Sequence, residues 1–356
     1  MSVPLSLSYH ASGIKVEEIA SWVGLGWNLE GGGAITRTKR GIDDFGNTAA
    51  YLGYVNHNES FGSIENDATL LRSVALGRLD AEPNLFYLKA PGLSVKFIYN
   101  KSLSEYVPLE QQDIIIEKVG DTWEVTGADG TEYVFGVVND PDVTYGAIDV
   151  NQVTTENINA GDFGAPITEE PFTASWHLAK IISVTHDDEI TYEYNTETVR
   201  YERIGAENYY VEQAAPTLQC NPIQNSLFLV ENDVTQAYCK KITSKQGSVE
   251  FEASMRLDLL GGHKLDRIIY KNRNGLVRSF ALRYGYFNNT ATQAAARRLK
   301  LVQVQEEGFD GTVNPPFILA YIGDDAGEPQ LPPRYAVSNT DYTQQDHWGY
   351  YNANDR

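Results

Sequence analysis

The clearest pattern along this chain is alternation of apolar and polar residues. Val3, Leu5, Leu7 and Tyr9 fall on one parity, with Pro4, Ser6 and Ser8 on the other. A period of two places one apolar face on a strand that opens near the third residue. Leu85 to Leu88 and Leu93 to Tyr99 read as strands, and Pro91-Gly92 between them is a turn pair. Trp123 to Phe135 reads as a hairpin with a two-residue turn at Asp129-Gly130. Further hairpins are expected from Ile181 to Tyr194 (turning at His186-Asp187-Asp188), from Ile242 to Phe251 (at Gln246-Gly247), from Leu265 to Tyr284 (near Asn274-Gly275) and from Leu299 to Tyr321 (through Asp310-Gly311).

Three of these hairpins share a frame. Leu178-x-x-Ile181 leads to Ile190-x-Tyr192-x-Tyr194. Leu265-x-x-Ile268 leads to Phe280-x-Leu282-x-Tyr284, and Leu299-x-x-Val302 leads to Phe317-x-Leu319-x-Tyr321. Residues i and i+2 of a strand point the same way, so each second strand lays an apolar stripe on a common face. The fold class that follows is all-β: antiparallel hairpins forming a large curved sheet or a sandwich, with irregular insertions.

Between these strands the pattern weakens. Residues 46–80 read as a polar surface excursion with a short helix near 67–75. Residues 139–172 and 203–238 read as loops, Ile14 to Trp22 as a loop or short helix, and Ala291 to Arg298 as two helical turns. The expected organisation is an N-terminal β region (1–136), a loop-rich insertion (137–175) and a repeated hairpin region (176–356).

Residues 24–44 are organised differently. Gly24, Gly26, Gly32, Gly33 and Gly41 surround Trp27, close behind Trp22, and Ile35, Arg37 and Lys39 alternate with Ala34, Thr36 and Thr38. Glycine serves where φ is positive or two backbones approach closely. The stretch reads as strand, glycine-rich turn, strand, with the two tryptophans as a core plug, and Trp27→Ala is expected to cost about 3–5 kcal/mol for a buried aromatic. Arg37, Lys39 and Arg40 are expected to pair with Asp43, Asp44 or Glu30.

Charge and composition narrow the function classes. A formal net charge of −20 repels nucleic acid and anionic lipid, so no nucleic-acid partner is expected. No apolar run reaches membrane-spanning length, so no membrane insertion is expected. Two cysteines, Cys220 and Cys239, are too few for a cysteine-rich zinc site and leave both a disulfide and buried free thiols open.

None of the six histidines sits in a His-Glu-x-x-His pair, and no metal or cofactor motif and no Gly-x-Ser-x-Gly elbow occur. Gly31-Gly32-Gly33 is followed by strand sequence rather than the helix a phosphate loop needs. His186 with Asp187 and Asp188 reads as a solvated hairpin tip. Trp348, Tyr350 and Tyr351 offer rings that stack on a sugar, the residues a glycan or cell-surface partner would use.

Gly24-Leu25-Gly26-Trp27, Gly32-Gly33-x-Ile35-x-Arg37 and Gly41-x-Asp43-Asp44 together resemble the opening motif of RHS/YD-repeat proteins and of related SpvB-type toxin-complex domains. Pro4 to Tyr9, Ser12 to Val16 and Asp346 to Asn352 resemble segments of large secreted RHS proteins of Bacteroidetes-type bacteria. The resemblance implies a non-catalytic stretch of β-shell in a longer polypeptide, enclosing or presenting a C-terminal effector, with the remaining repeats and the effector as partners. It also implies secretion or a cell-surface location, and with that a Cys220–Cys239 disulfide. The alternative expectation is an adhesin or carbohydrate-binding β-module.

Overall fold

A computed structural model describes residues 1–11, 13, 15–47, 51–157, 166–210, 224–288, 292–321, 331, 334 and 349–350. The chain is all-β, and the ladders joining its strands are antiparallel. At the start, β1 (Ser6–Tyr9) pairs with β2 (Trp27–Glu30), and Val3, Leu5 and Leu7 pack on the core. The chain then leaves that hairpin. β3 (Ala34–Thr38) pairs not with β2 but with β4 (Leu85–Ala90), which continues through β5 (Leu93–Asn100) to β6 (Glu105–Pro108). The polar excursion between β3 and β4 carries α1 (Phe61–Asn66) and α2 (Ala68–Ala75). Asp67 caps α2 by accepting from the backbone N–H of Thr69 (2.7 Å) and Leu70 (3.2 Å), which fixes the start of the expected helix.

A second meander, β7 (Ile115–Val119), β8 (Thr122–Thr126) and β9 (Glu132–Phe135), follows, then the short ladder of β10 (Val138–Asn139) and β11 (Thr144–Tyr145). The Asp129-Gly130 connection is longer than the expected two-residue turn. Thr126 pairs with Glu132, the N–H of Gly127 donates to Thr131 O (2.9 Å), and of the pair only Gly130 has positive φ. Gly308 and Thr312 close the Asp310-Gly311 turn the same way. Both are Gly-x-Asp-Gly-Thr, and in both the aspartate accepts from the threonine N–H at 3.0 Å. The Gln246-Gly247 turn also sits one residue earlier than expected, because Ser244 pairs with Gly247 and leaves Lys245-Gln246 as the loop.

The region expected as loop over 139–172 contains β12 (Ala147–Asn157), an eleven-residue strand, and the short β13 (Ile167–Thr168). β14 (Phe172–Ile182) runs across the expected boundary at 175/176 and is the junction of the whole sheet. Its first half pairs with β12 and β3; its second half pairs with β9 and β15. β15 (Glu189–Tyr210) and β16 (Gln224–Ser244) form a long ribbon where a loop was expected over 203–238. Beyond Arg200, Glu, Asn and Gln break up the apolar residues of both strands, so hydrophobic alternation does not announce the ribbon. β17 (Gly247–Met255), β18 (His263–Asn272), β19 (Gly275–Phe287), β20 (Arg298–Gly308) and β21 (Phe317–Ile318) follow as successive neighbours. The expected helical turns over 291–298 shrink to a single 3₁₀ turn, Ala294–Ala296.

One hydrophobic cluster joins the two halves of the sheet. Trp123, fully buried, lies 5.4–5.5 Å from the rings of Phe86, Phe97 and Trp176, and 4.6 Å from Tyr106. Edge-to-face contacts of this kind add to the burial term itself. A smaller cluster, Ala20, Leu25, Phe287, Leu299 and Leu331, holds the N-terminal segment against β19 and β20.

Candidate functional site

The repeated frame has a structural origin that alternation alone does not show. Each junction between successive hairpins carries a β-bulge at the same place. Going along the sheet, the extra residues are Ala179, Lys240, Asp266 and Val302, each on the first strand of its hairpin. A bulge interrupts the ladder and bends its strand. The carbonyl just before the bulge is then met by a tyrosine hydroxyl from the same hairpin. Tyr194 Oη donates to Leu178 O (3.0 Å), Tyr284 Oη to Leu265 O (2.7 Å) and Tyr321 Oη to Leu301 O (2.7 Å).

Register makes the three equivalent. Ile181 pairs with Ile190, Ile268 with Phe280 and Val304 with Phe317. The leucine lies three residues before the first of each pair, and the tyrosine four after the second. The third hairpin therefore opens at Leu301, two residues beyond the Leu299 expected from sequence. A fourth unit completes the series: Cys239-x-x-Ile242 pairs through Val249, and Ala253 stands at the tyrosine position.

The glycine and tryptophan motif is fastened to these positions. Trp22 O accepts from the N–H of Leu265 (2.9 Å), the residue opposite Ala253, and its ring lies 6.0 Å from Phe251 and from Tyr238. Trp22 thus covers the face that lacks its tyrosine. Trp27 is half-buried against the core; its Nε1 donates to Tyr321 Oη (2.9 Å) and its ring lies 5.1 Å from Tyr9. Between the tryptophans, Leu25 N–H donates to Leu299 O (2.8 Å). Gly24 has φ +117°, and a Cβ there would lie 3.1 Å from Leu301 N, so both conformation and space select glycine. Gly33 backs onto β4, where a Cβ would lie 2.7 Å from Lys89 O. Gly26 accepts from His10 N–H (2.8 Å), Gly32 faces open space, and Gly41 lies beside Asp80. Arg37 pairs with Asp43 at 2.8 Å, with its guanidinium over Phe172 and Trp176, whereas Lys39 reaches Glu169 instead of the nearer carboxylates.

A cavity of about 900 Å³ opens between the N-terminal segment and the sheet, lined in part by Trp22 and Gly31 to Gly33. Two histidines border it, each held by a carboxylate. His177 Nε2 lies 2.8 Å from Asp149 Oδ1, which also accepts from Ala237 N–H (2.7 Å). His263 Nδ1 lies 2.6 Å from Glu197 Oε2, and its ring stacks on Tyr238 at 5.0 Å. Asp149 and Glu197 come from β12 and β15, elements read wholly or partly as loop, so nothing in the sequence linked them to these histidines. The carboxylates orient the imidazoles as in a base–orienter pair. Among the described residues, however, neither imidazole is hydrogen-bonded to a hydroxyl or thiol. Cys239 borders the same cavity as a free thiol, and burial pushes its ionisation well up, which suits a packed side chain rather than a nucleophile.

Cys220, Trp348 and Tyr351 lie outside the described residues. Tyr350 is half-buried, bridged to Lys15, whose ammonium sits 5.4 Å over its ring. His186 is exposed at its hairpin tip with φ +55°, 3.4 Å from Glu132. No helix among the described residues is long and apolar enough to cross a membrane. No family model, no curated protein and no solved structure matches the chain.

Proposed function

We propose that the chain is a non-catalytic wall segment of a larger RHS/YD-like β-shell, exported or displayed at the cell surface, which encloses or presents an effector carried on the same polypeptide. The observation that carries this reading is the bulge, repeated at equivalent register on four hairpins that are consecutive in one sheet, three of which add the tyrosine latch. A repeated junction lets a sheet grow by adding identical units. The N-terminal motif fits the same role, since Trp22 and Trp27 are spent on the latch positions and leave no reactive group exposed. β21 fits the role too: Phe317 and Ile318 are 68% and 77% exposed, and among the described residues β21 pairs with β20 alone.

Cryo-electron microscopy of the natural polypeptide that carries this chain tests the proposal. The expected result is a hollow β-walled particle in which the wall continues from the Phe317–Ile318 edge with the same bulge spacing. A free-standing lobe, with that edge in solvent and no enclosing wall, overturns it. A glycan-binding role ranks second, because Lys15 already lies over the ring of Tyr350, the one proposed stacking residue among those described.

A further inference from the structure

A second cleft, of about 510 Å³, lies beside the aromatic core, between β5–β6 and β7. Three rings build its wall. Phe45 meets Tyr99 at 5.2 Å with an interplanar angle of 64°, and Tyr99 meets Tyr106 at 5.0 Å and 68°. Successive near-perpendicular faces form a corner rather than a flat stack. Tyr106 is backed by Trp123 at 4.6 Å, so the inner wall is rigid. Phe45, by contrast, stays 48% exposed at the rim, so its ring is open to a ligand.

The charges at this cleft are unbalanced. Glu105 and Glu117 both line it, and neither has an ion-pair partner among the described residues. Glu117 lies directly opposite Glu124 across the β7–β8 ladder, where like charges repel. Lys118 is the cation that lines the cleft, and its ammonium is turned inward over Trp123 (5.4 Å) and Trp176 (5.3 Å) rather than toward either glutamate. The wall therefore already holds one cation on its aromatic faces, while the outer rings hold none; Glu105 and Glu117 flank the cleft from the opposite faces of their strands, because their neighbours Tyr106 and Ile116 face the core.

We propose that the corner formed by Phe45, Tyr99 and Tyr106, flanked at longer range by Glu105 and Glu117, is a binding site for an alkylated ammonium ion. The ring quadrupoles attract a cation that sheds water readily, and methylated ammonium does so far more easily than a primary amine. The two carboxylates supply long-range attraction and disfavour ligands that carry a phosphate beside the ammonium.

Titrating the full chain with tetramethylammonium and with choline, read by ligand-observed NMR, tests the site; 3,3-dimethylbutan-1-ol serves as the neutral isostere of choline. Saturable binding of both cations is expected, with the neutral alcohol weaker by about tenfold or more. Phe45→Ser, at an exposed position, and Glu105→Gln with Glu117→Gln are each expected to weaken the cations by several-fold, roughly 3–10. Lys118→Met removes the like charge and is expected to tighten them. Absence of saturable binding, equal binding of the neutral isostere, or indifference to both the Phe45 and the glutamate variants overturns the proposal. Phosphocholine binding as tightly as choline overturns the role given to the carboxylates.

Discussion

Replacing Tyr284 by phenylalanine removes one oxygen and keeps the ring, so it isolates the latch. The hydroxyl donates to Leu265 O at 2.7 Å, in a part-buried setting beside the Asp266 bulge. Loss of a hydrogen bond of this kind costs about 1 kcal/mol net, and more when the abandoned carbonyl is screened from water, so about 1–2 kcal/mol is expected. Tyr321 is the internal comparison. Its hydroxyl donates to Leu301 O at 2.7 Å and also accepts from Trp27 Nε1 at 2.9 Å. Tyr321→Phe strands two partners and should cost more, about 2–3 kcal/mol. Urea unfolding followed by tryptophan fluorescence gives both values, with an unchanged m-value confirming that stability alone has shifted. A loss below about 0.5 kcal/mol for Tyr284→Phe, or a smaller loss at Tyr321 than at Tyr284, would refute the latch as a stabilising element.

Three further outcomes are expected. Trp27→Ala should cost about 2–3 kcal/mol, less than for a fully buried indole, because the ring is half-exposed and its loss is shared between packing and the Tyr321 hydrogen bond; chemical denaturation of that variant supplies the number. Trp22→Ala should destabilise by a similar amount, and adding Ala253→Tyr should recover part of it by building the fourth latch; a double-mutant cycle with no coupling counts against Trp22 covering that position. Asp44 is 1% exposed, and burial first, then the Asp80 and Asp43 carboxylates, raise it from 3.8 to about 7 against the opposing donation from Asn84 N–H. A carboxyl raised in the folded state stabilises at low pH and loses that contribution as pH climbs from about 4 through 7, an effect of about 3–4 kcal/mol. Asp44→Asn should remove this slope from stabilities measured between pH 4 and 8, and an unaltered slope would place the titration elsewhere.

Much of this architecture was legible in the alternation of residues. Leu85–Ala90 and Leu93–Asn100 flank the Pro91-Gly92 turn as expected, because their alternate residues are buried against the aromatic core. The third repeat shows where that reading ends. Leu299 and Leu301 are both fully buried, lie on the same face and are the same residue type, so period two does not choose between them. The choice falls to the Val304–Phe317 pairing, which the Gly308–Thr312 turn sets. The polar strands were missed for a different reason. Residues such as Thr196, Thr198 and Arg200 face solvent, so the ribbon carries weak apolar alternation even though Thr, Val and Tyr favour extended backbone. Neither cavity histidine is marked out by its sequence neighbours, since a contact such as His263 with Glu197, across three strands, leaves no local trace. The tyrosines were read as apolar stripe; their hydroxyl role depends on bulges that no composition reveals.

The four extra residues have a geometric corollary. All sit on the first strand of their hairpin, unlike the bulges at Gly205 and Val277, so at the junctions the turning they impose adds with one sign, like wedges driven into one side of an arch. The pitch of such a wall is written into its joints rather than into its loops. Connecting segments that keep the strand pairing are therefore free to change chemistry without altering the radius, whereas deleting a single wedge would straighten the wall locally and turn the adjoining stretch of strand inside out.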